Sequence, residues 1–195
     1  MTVSVLPVSA WRSLSCFQGY ERWLVKLEQH VDVDPSLLAE VLGVDHVRFV
    51  IQQKRLPAGI DQSDVEDSYV GLCARGLVPT RPGSVHDLLN ALVWARFPQA
   101  KRALSERQLQ IARGQLLPPQ RRVRTPEQDA LAMLDEGGVL QGPHLTAVFG
   151  HAILEDAIRG RTSRPRIVVL EEDDLDSQLV RHLQASPRSC LPSFS

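Results

Sequence analysis

Between residues 80 and 104 the chain reads TRPGSVHDLLNALVWARFPQAKRAL, and from Leu88 to Ala95 every residue except Asn90 is apolar. At about 3.6 residues per turn, such a run leaves no solvent-facing stripe, so a helix made from it must be covered nearly all round. Ser84, with Asp87 three residues on, reads as an N-cap with a capping-box acid, which starts the helix near Val85. His86 and Asn90 are then four apart and Asp87 and Asn90 three apart, so all three project from one patch. Buried polar groups cost free energy unless they are hydrogen-bonded or put to use. The three residues are therefore the first functional candidates.

A length of 195 residues with 43% hydrophobic content fits one domain with a real core. The expected unit is a single globular domain over residues 1–184, with a loose tail over 185–195. Charge is uneven: residues 65–126 carry ten basic and four acidic side chains, whereas residues 127–195 carry six and eleven. Pairing between these blocks is the plainer explanation, and nucleic acid is an unlikely partner because no basic cluster is interleaved with aromatics. Cys16, Cys73 and Cys190 are far apart and form no CxxC, which argues against a disulfide framework or a cysteine zinc site. No apolar run approaches the ~20 residues of a membrane span, and Pro7 breaks the only stretch resembling a leader. The expected location is the cytoplasm.

Local signals place the other elements. Trp11, Leu14 and Phe17, and then Trp23, Leu24 and Leu27, recur at helical spacing. Asp34, Pro35 and Gly43 supply an N-cap, an N1 proline and a C′ glycine for a further helix. Ser63 with Glu66 starts another, which Gly76 closes and in which Tyr69, Leu72 and Cys73 face inward. LVPTRPGS at residues 77–84 reads as a rigid loop. Phe97-Pro98 ends the central helix and begins an amphipathic one reaching about Arg113, with Lys101, Arg102 and Glu106 on its solvated side, although Lys101 is close enough to the kink to face a site. Residues 130–140 admit either a helix stopped by Gly137 or a hairpin turning on residues 135–138. Residues 147–158 read as helix, with His151 and Glu155 four apart on one face. Residues 47–51 and 166–170 are β-branched strands, and a short helix passes through Leu179 and Leu183. The fold class is α+β: a mostly helical domain with one small sheet made from those two strands and, if it forms, the hairpin.

Read together, VPTR at residues 78–81, HDLLNALVWARFPQAK at 86–101, QDALAMLDEGG at 128–138 and FGHAILE at 149–155 resemble the bacterial family named domain of unknown function three thousand and twenty-five. RFVIQ at residues 48–52 extends the resemblance, which supplies a shortlist of positions and no mechanism. Ser105, Gln108, Val70 and Gln128 depart from that pattern, which carries Asn, His, an acid and Arg there.

The combined set is Arg81, His86, Asp87, Asn90, Asp135, Glu136, His151 and Glu155, with Lys101 beside it. His86, Asp87, His151 and Glu155 are types that would suit a divalent metal. Alternatively His86 is a general base oriented by Asp87 or Glu155, with Arg81, Lys101 and Asp135 binding the ligand. The plainer account is an interior brace: Asp87 caps its helix, His86 and Asn90 bond to loop backbone, and Glu155 pairs with an arginine such as Arg81. Asp135 and Glu136 could equally shape a turn. The leading expectation is a ligand-binding or hydrolase-like domain with a His/Asp/Asn/Glu pocket; the competing one is a non-catalytic interaction module. Neither names a cofactor, metal or partner. A separation of more than about 10 Å between the side chains of His86 and His151 would exclude any shared site.

Overall fold

A computed structural model describes residues 7–29, 34–52, 65–114 and 124–185. Ser63, Cys190 and the expected tail from residue 186 on lie outside them. The first helices are α1 (Val8–Trp11), α2 (Glu21–Glu28) and α3 (Leu38–Leu42), with 3-10 turns at Ser15–Phe17 and Pro35–Leu37. Asp34 accepts from the Ser36 amide and Gly43 ends α3 at φ 69°, as their cap positions predict. Strand β1 (Arg48–Ile51) precedes α4 (Tyr69–Ala74), whose N-cap is Ser68 bonding the Gly71 amide. Tyr69 is corrected: it is 47% exposed, and only its hydroxyl reaches inward, to Asn90. Cys73 is buried, and burial pushes its thiol up to about 12, so it is an inert part of the core.

Residues 77–84 are not wholly loop. Leu77–Thr80 form β2, parallel to β1 with Phe49 opposite Val78. Pro79 disguised this strand, yet in a two-stranded sheet every strand is an edge, where a missing N–H is tolerated. The central helix α5 (Val85–Arg96) follows, with Leu89, Leu92 and Val93 fully buried. Phe97 bridges to α6 (Pro98–Arg113). Pro98 has no N–H for the carbonyl of Trp94, and His46 Nε2 lies 3.2 Å from that oxygen instead. Nor can Phe97 cap α6 with its side chain. The Asp176 carboxylate does so from the distant α9 (Leu175–Gln184), accepting from the amides of Gln99 and Ala100 at 3.2 and 2.8 Å.

The ambiguous stretch resolves as helix α7 (Pro126–Gly137), running directly into β3 (Gly138–Gln141). Gln128, one of the departures from the family pattern, closes a capping box with Thr125, and Ser105 bonds back to the carbonyl of Lys101. β4 (Thr146–Val148) pairs antiparallel with β3, so residues 147–150, expected to be helical, are strand and turn; α8 is only His151–Ile158. β5 (Arg166–Val169) lies parallel to β3 on its other side. The expectation of one sheet is therefore corrected to two, because β1 finds its partner in β2. Among the described residues, nine α-helices and these two sheets share one hydrophobic core, a mostly helical α+β domain. Lys101–Asp135 and Arg107–Glu127 join the basic and acidic blocks within the chain. No helix is long and apolar enough to cross a membrane among the described residues.

Candidate functional site

The hairpin of β3 and β4 brings the chain back to the end of α7. The amides of Phe149 and Gly150 both donate to the carbonyl of Gly138, at 2.9 and 2.8 Å. This leaves His151, the first residue of α8, beside Glu136, near the last turn of α7. α5 packs against α8 and delivers His86 from its own first turn. Side chains on a helix lean toward its N-terminus, so the two histidines meet between the starts of two helices. Their ring centroids are 4.4 Å apart and their Nε2 atoms 3.0 Å apart.

Around the pair stand two carboxylates. Glu155, one turn along α8 from His151, places Oε2 2.8 Å from His86 Nδ1, while its other oxygen accepts from Arg159 at 2.9 Å. Glu136 Oε2 lies 3.4 Å from His151 Nε2. His151 forms the floor, with a side chain 4% exposed, and His86 and Glu136 form a rim at 34% and 51%. One donor atom each from His86, Glu136 and His151 lies within 4.8 Å of the other two.

The surroundings shift these groups in different directions. Burial holds the His151 imidazole down at about 4, so the ring is neutral at pH 7. Burial also acts on Glu155, but hydrogen bonds from His86 and Arg159 outweigh it and lower that carboxyl. Glu136 is raised, first by burial and then by the neighbouring charge of Asp135.

The remaining candidates separate from this group. Asp87 does not reach back to its N-cap as a capping-box acid would. Its carboxylate instead accepts from the Arg81 amide, Nε and Nη2 at 2.7, 2.9 and 2.8 Å, a forked pair that fixes the turn entering α5. Asn90 accepts from Lys101 Nζ at 2.7 Å and donates to the Tyr69 hydroxyl at 3.2 Å. Lys101 is not on a solvated side: it is 2% exposed and also donates to Asp135. The eight expected residues plus Lys101 thus form two braces and one cluster. The brace expected of His86 and Glu155 differs from what is found, since His86 bonds to side chains and Glu155 takes Arg159 rather than Arg81. Arg159 stands four residues from Glu155 and could have been paired with it from spacing alone. Tyr69 offered no local signal, because its contact with Asn90 crosses 21 residues of chain.

The forked pair carries an expectation of its own. Burial would raise the Asp87 carboxyl, but the bonds from Arg81 hold it below its ordinary 3.8. A depressed acid contributes stability above its unfolded pKa and loses it as pH falls through the lower folded value. Asp87→Asn should therefore cost roughly 1–2 kcal/mol at neutral pH, discounted for the exposure of Arg81. The variant should also lose part of the decline in stability below pH 3.8. Urea unfolding of both proteins between pH 2 and 7 measures each effect; equal stability at pH 7 would refute it.

Comparison with curated proteins and comparison with solved structures each found no match. A family model does match, over residues 47–143, which takes in Arg81, His86, Lys101 and Glu136 and stops before His151 and Glu155. On that match residues 47–143 of the chain belong to the family described as Protein of unknown function (DUF3025).

Proposed function

We propose that this chain binds a small ligand and hydrolyses it at His86 and His151, with Glu136 and Glu155 as supporting carboxylates. The observation that carries the reading is the partly exposed His86 ring, held through Nδ1 by Glu155 at 2.8 Å and turned toward a second imidazole at 3.0 Å. A carboxylate on one ring nitrogen sets the tautomer and leaves the other nitrogen free to accept a proton or a bond. A water activated there would bond through its oxygen to an electrophilic carbon or phosphorus. The bond to the leaving oxygen would break, and the proton removed from water would be returned to that oxygen.

The interaction-module reading keeps a specific role for other residues: Arg81 with Asp87, and Lys101 with Asp135 and Asn90, have the bonded geometry of structural braces. His86 does not share the burial of Lys101 and Asn90. A cytoplasmic setting belongs to the same proposal and is supported by Cys16 and Cys73, both free.

The test is His86→Ala assayed against a panel of chromogenic carboxylic and phosphate esters. Activity of the wild-type protein should fall by about 10²-fold or more in the variant, while the melting temperature changes little because the ring is partly exposed. A wild-type protein inert across the panel would sink the proposal. So would a variant that melts much earlier yet retains its rate.

A further inference from the structure

Between two neutral imidazoles, hydrogen bonding alone does not complete the contact. With its proton on Nδ1 facing Glu155, His86 turns the lone pair of Nε2 toward His151 Nε2, 3.0 Å away. A neutral imidazole has one proton for its two nitrogens. If that of His151 sits on Nε2, it joins the rings but leaves Nδ1 buried with no hydrogen bond among the described residues; the Asp135 backbone is at most a weak partner there. If it sits on Nδ1, two lone pairs confront each other at 3.0 Å, with a Glu136 oxygen 3.4 Å from one of them. The second arrangement is unfavourable unless something positive lies between them.

A metal ion meets that condition. Metal–nitrogen bonds of about 2.0–2.1 Å at tetrahedral angles separate two ligand nitrogens by roughly 3.3 Å, close to the 3.0 Å found before any adjustment. The third donor, Glu136, is within 4.8 Å of both histidine donors and is exposed enough to swing. We infer that His86 Nε2, His151 Nε2 and a Glu136 carboxylate oxygen form a binding site for a first-row divalent metal ion of the zinc type. Three protein ligands leave a coordination position for water, and the exposed rim leaves it accessible, as a catalytic rather than a closed structural site requires. Glu155 then acts as a positioning residue: it holds the proton of His86 on Nδ1 and so keeps Nε2 available. The ligand set differs from that expected from the chain, since Asp87 is committed to Arg81 and Glu155 lies behind His86. The inference deepens the hydrolytic reading and, for its chemistry, rests on it: the ion would lower the pKa of the bound water and supply the nucleophile.

Calorimetric titration of the metal-stripped full-length chain with zinc, followed by the ester panel with and without zinc, tests both parts. The expected result is one ion per chain, lost in His86→Ala and Glu136→Ala, which replace partly exposed side chains and should fold. Glu155→Gln should bind about 10- to 100-fold more weakly. Absence of stoichiometric binding, or binding unchanged in both alanine variants, overturns the inference. Metal-stripped protein as active as zinc-loaded protein overturns it too and leaves the hydrolytic reading standing. Stoichiometric binding without hydrolysis does the reverse.

Discussion

Lys101→Met should lower the free energy of unfolding by roughly 3–5 kcal/mol, the cost of removing one partner from a buried charge pair. Methionine keeps most of the lysine stem's volume, so the loss would report the ammonium rather than a cavity. Lys101 is 2% exposed, and its ammonium donates to Asn90 and Asp135 between the rings of Trp94 and Phe149. Without it the Asp135 carboxylate has no cation in contact among the described residues, and the Asn90 carbonyl loses its donor. Asp135 keeps 18% side-chain exposure, so water can reach it, and the lower half of the range is the closer expectation. Burial would raise the Asp135 carboxyl, but the positive charge around it, Lys101 first, holds it below its usual value. Adding Asp135→Leu to the variant should recover much of the loss, since a matched apolar pair costs little compared with half an ion pair. Urea unfolding at pH 7 decides this; a single-variant loss below about 1 kcal/mol would mean the pair is not a brace.

Gly150→Ala should destabilise the protein by about 1–3 kcal/mol, as overpacking does, and should weaken the inferred metal binding more than its distance from the candidate ligand atoms suggests. The backbone angle is not the reason, because φ at Gly150 is −76°. The obstacle is space: an added Cβ would lie 2.5 Å from both the Glu136 carbonyl oxygen and the Gly138 nitrogen, and 2.6 Å from the Glu136 carbonyl carbon. These are backbone atoms at the junction of α7 and β3, so no side chain can swing aside. The methyl group would push α8 from α7, carrying His151 away from Glu136. Thermal unfolding combined with zinc titration checks both halves, and a variant of unchanged stability and affinity would contradict the argument.

The parts legible in the chain were those whose causes are local. Asp34, Pro35 and Gly43 bound one helix region, and Ser84, Phe97 and Pro98 delimit α5 and begin α6, because caps and prolines act within one turn. Strands β1 and β5 also announced themselves through β-branched runs. β2 did not, since Pro79 argues for a loop unless the sheet is known to have only two strands. Nor did β4, because TAV ahead of a helical run carries too few residues to show an alternation.

The amino-acid sequence by itself determined that His86, Asp87 and Asn90 would interrupt a buried helix and that each would need a partner. Only the tertiary structure decided which partners: Arg81 for Asp87, Lys101 and Tyr69 for Asn90, and His151 with Glu155 for His86. Helical spacing puts three residues on one patch, but a hydrogen bond or coordination bond depends on a few tenths of an ångström across space. His86 and His151 are 65 residues apart in the chain, and the β3–β4 hairpin and the packing of α8 on α5 and α7 are what close that distance to 3.0 Å.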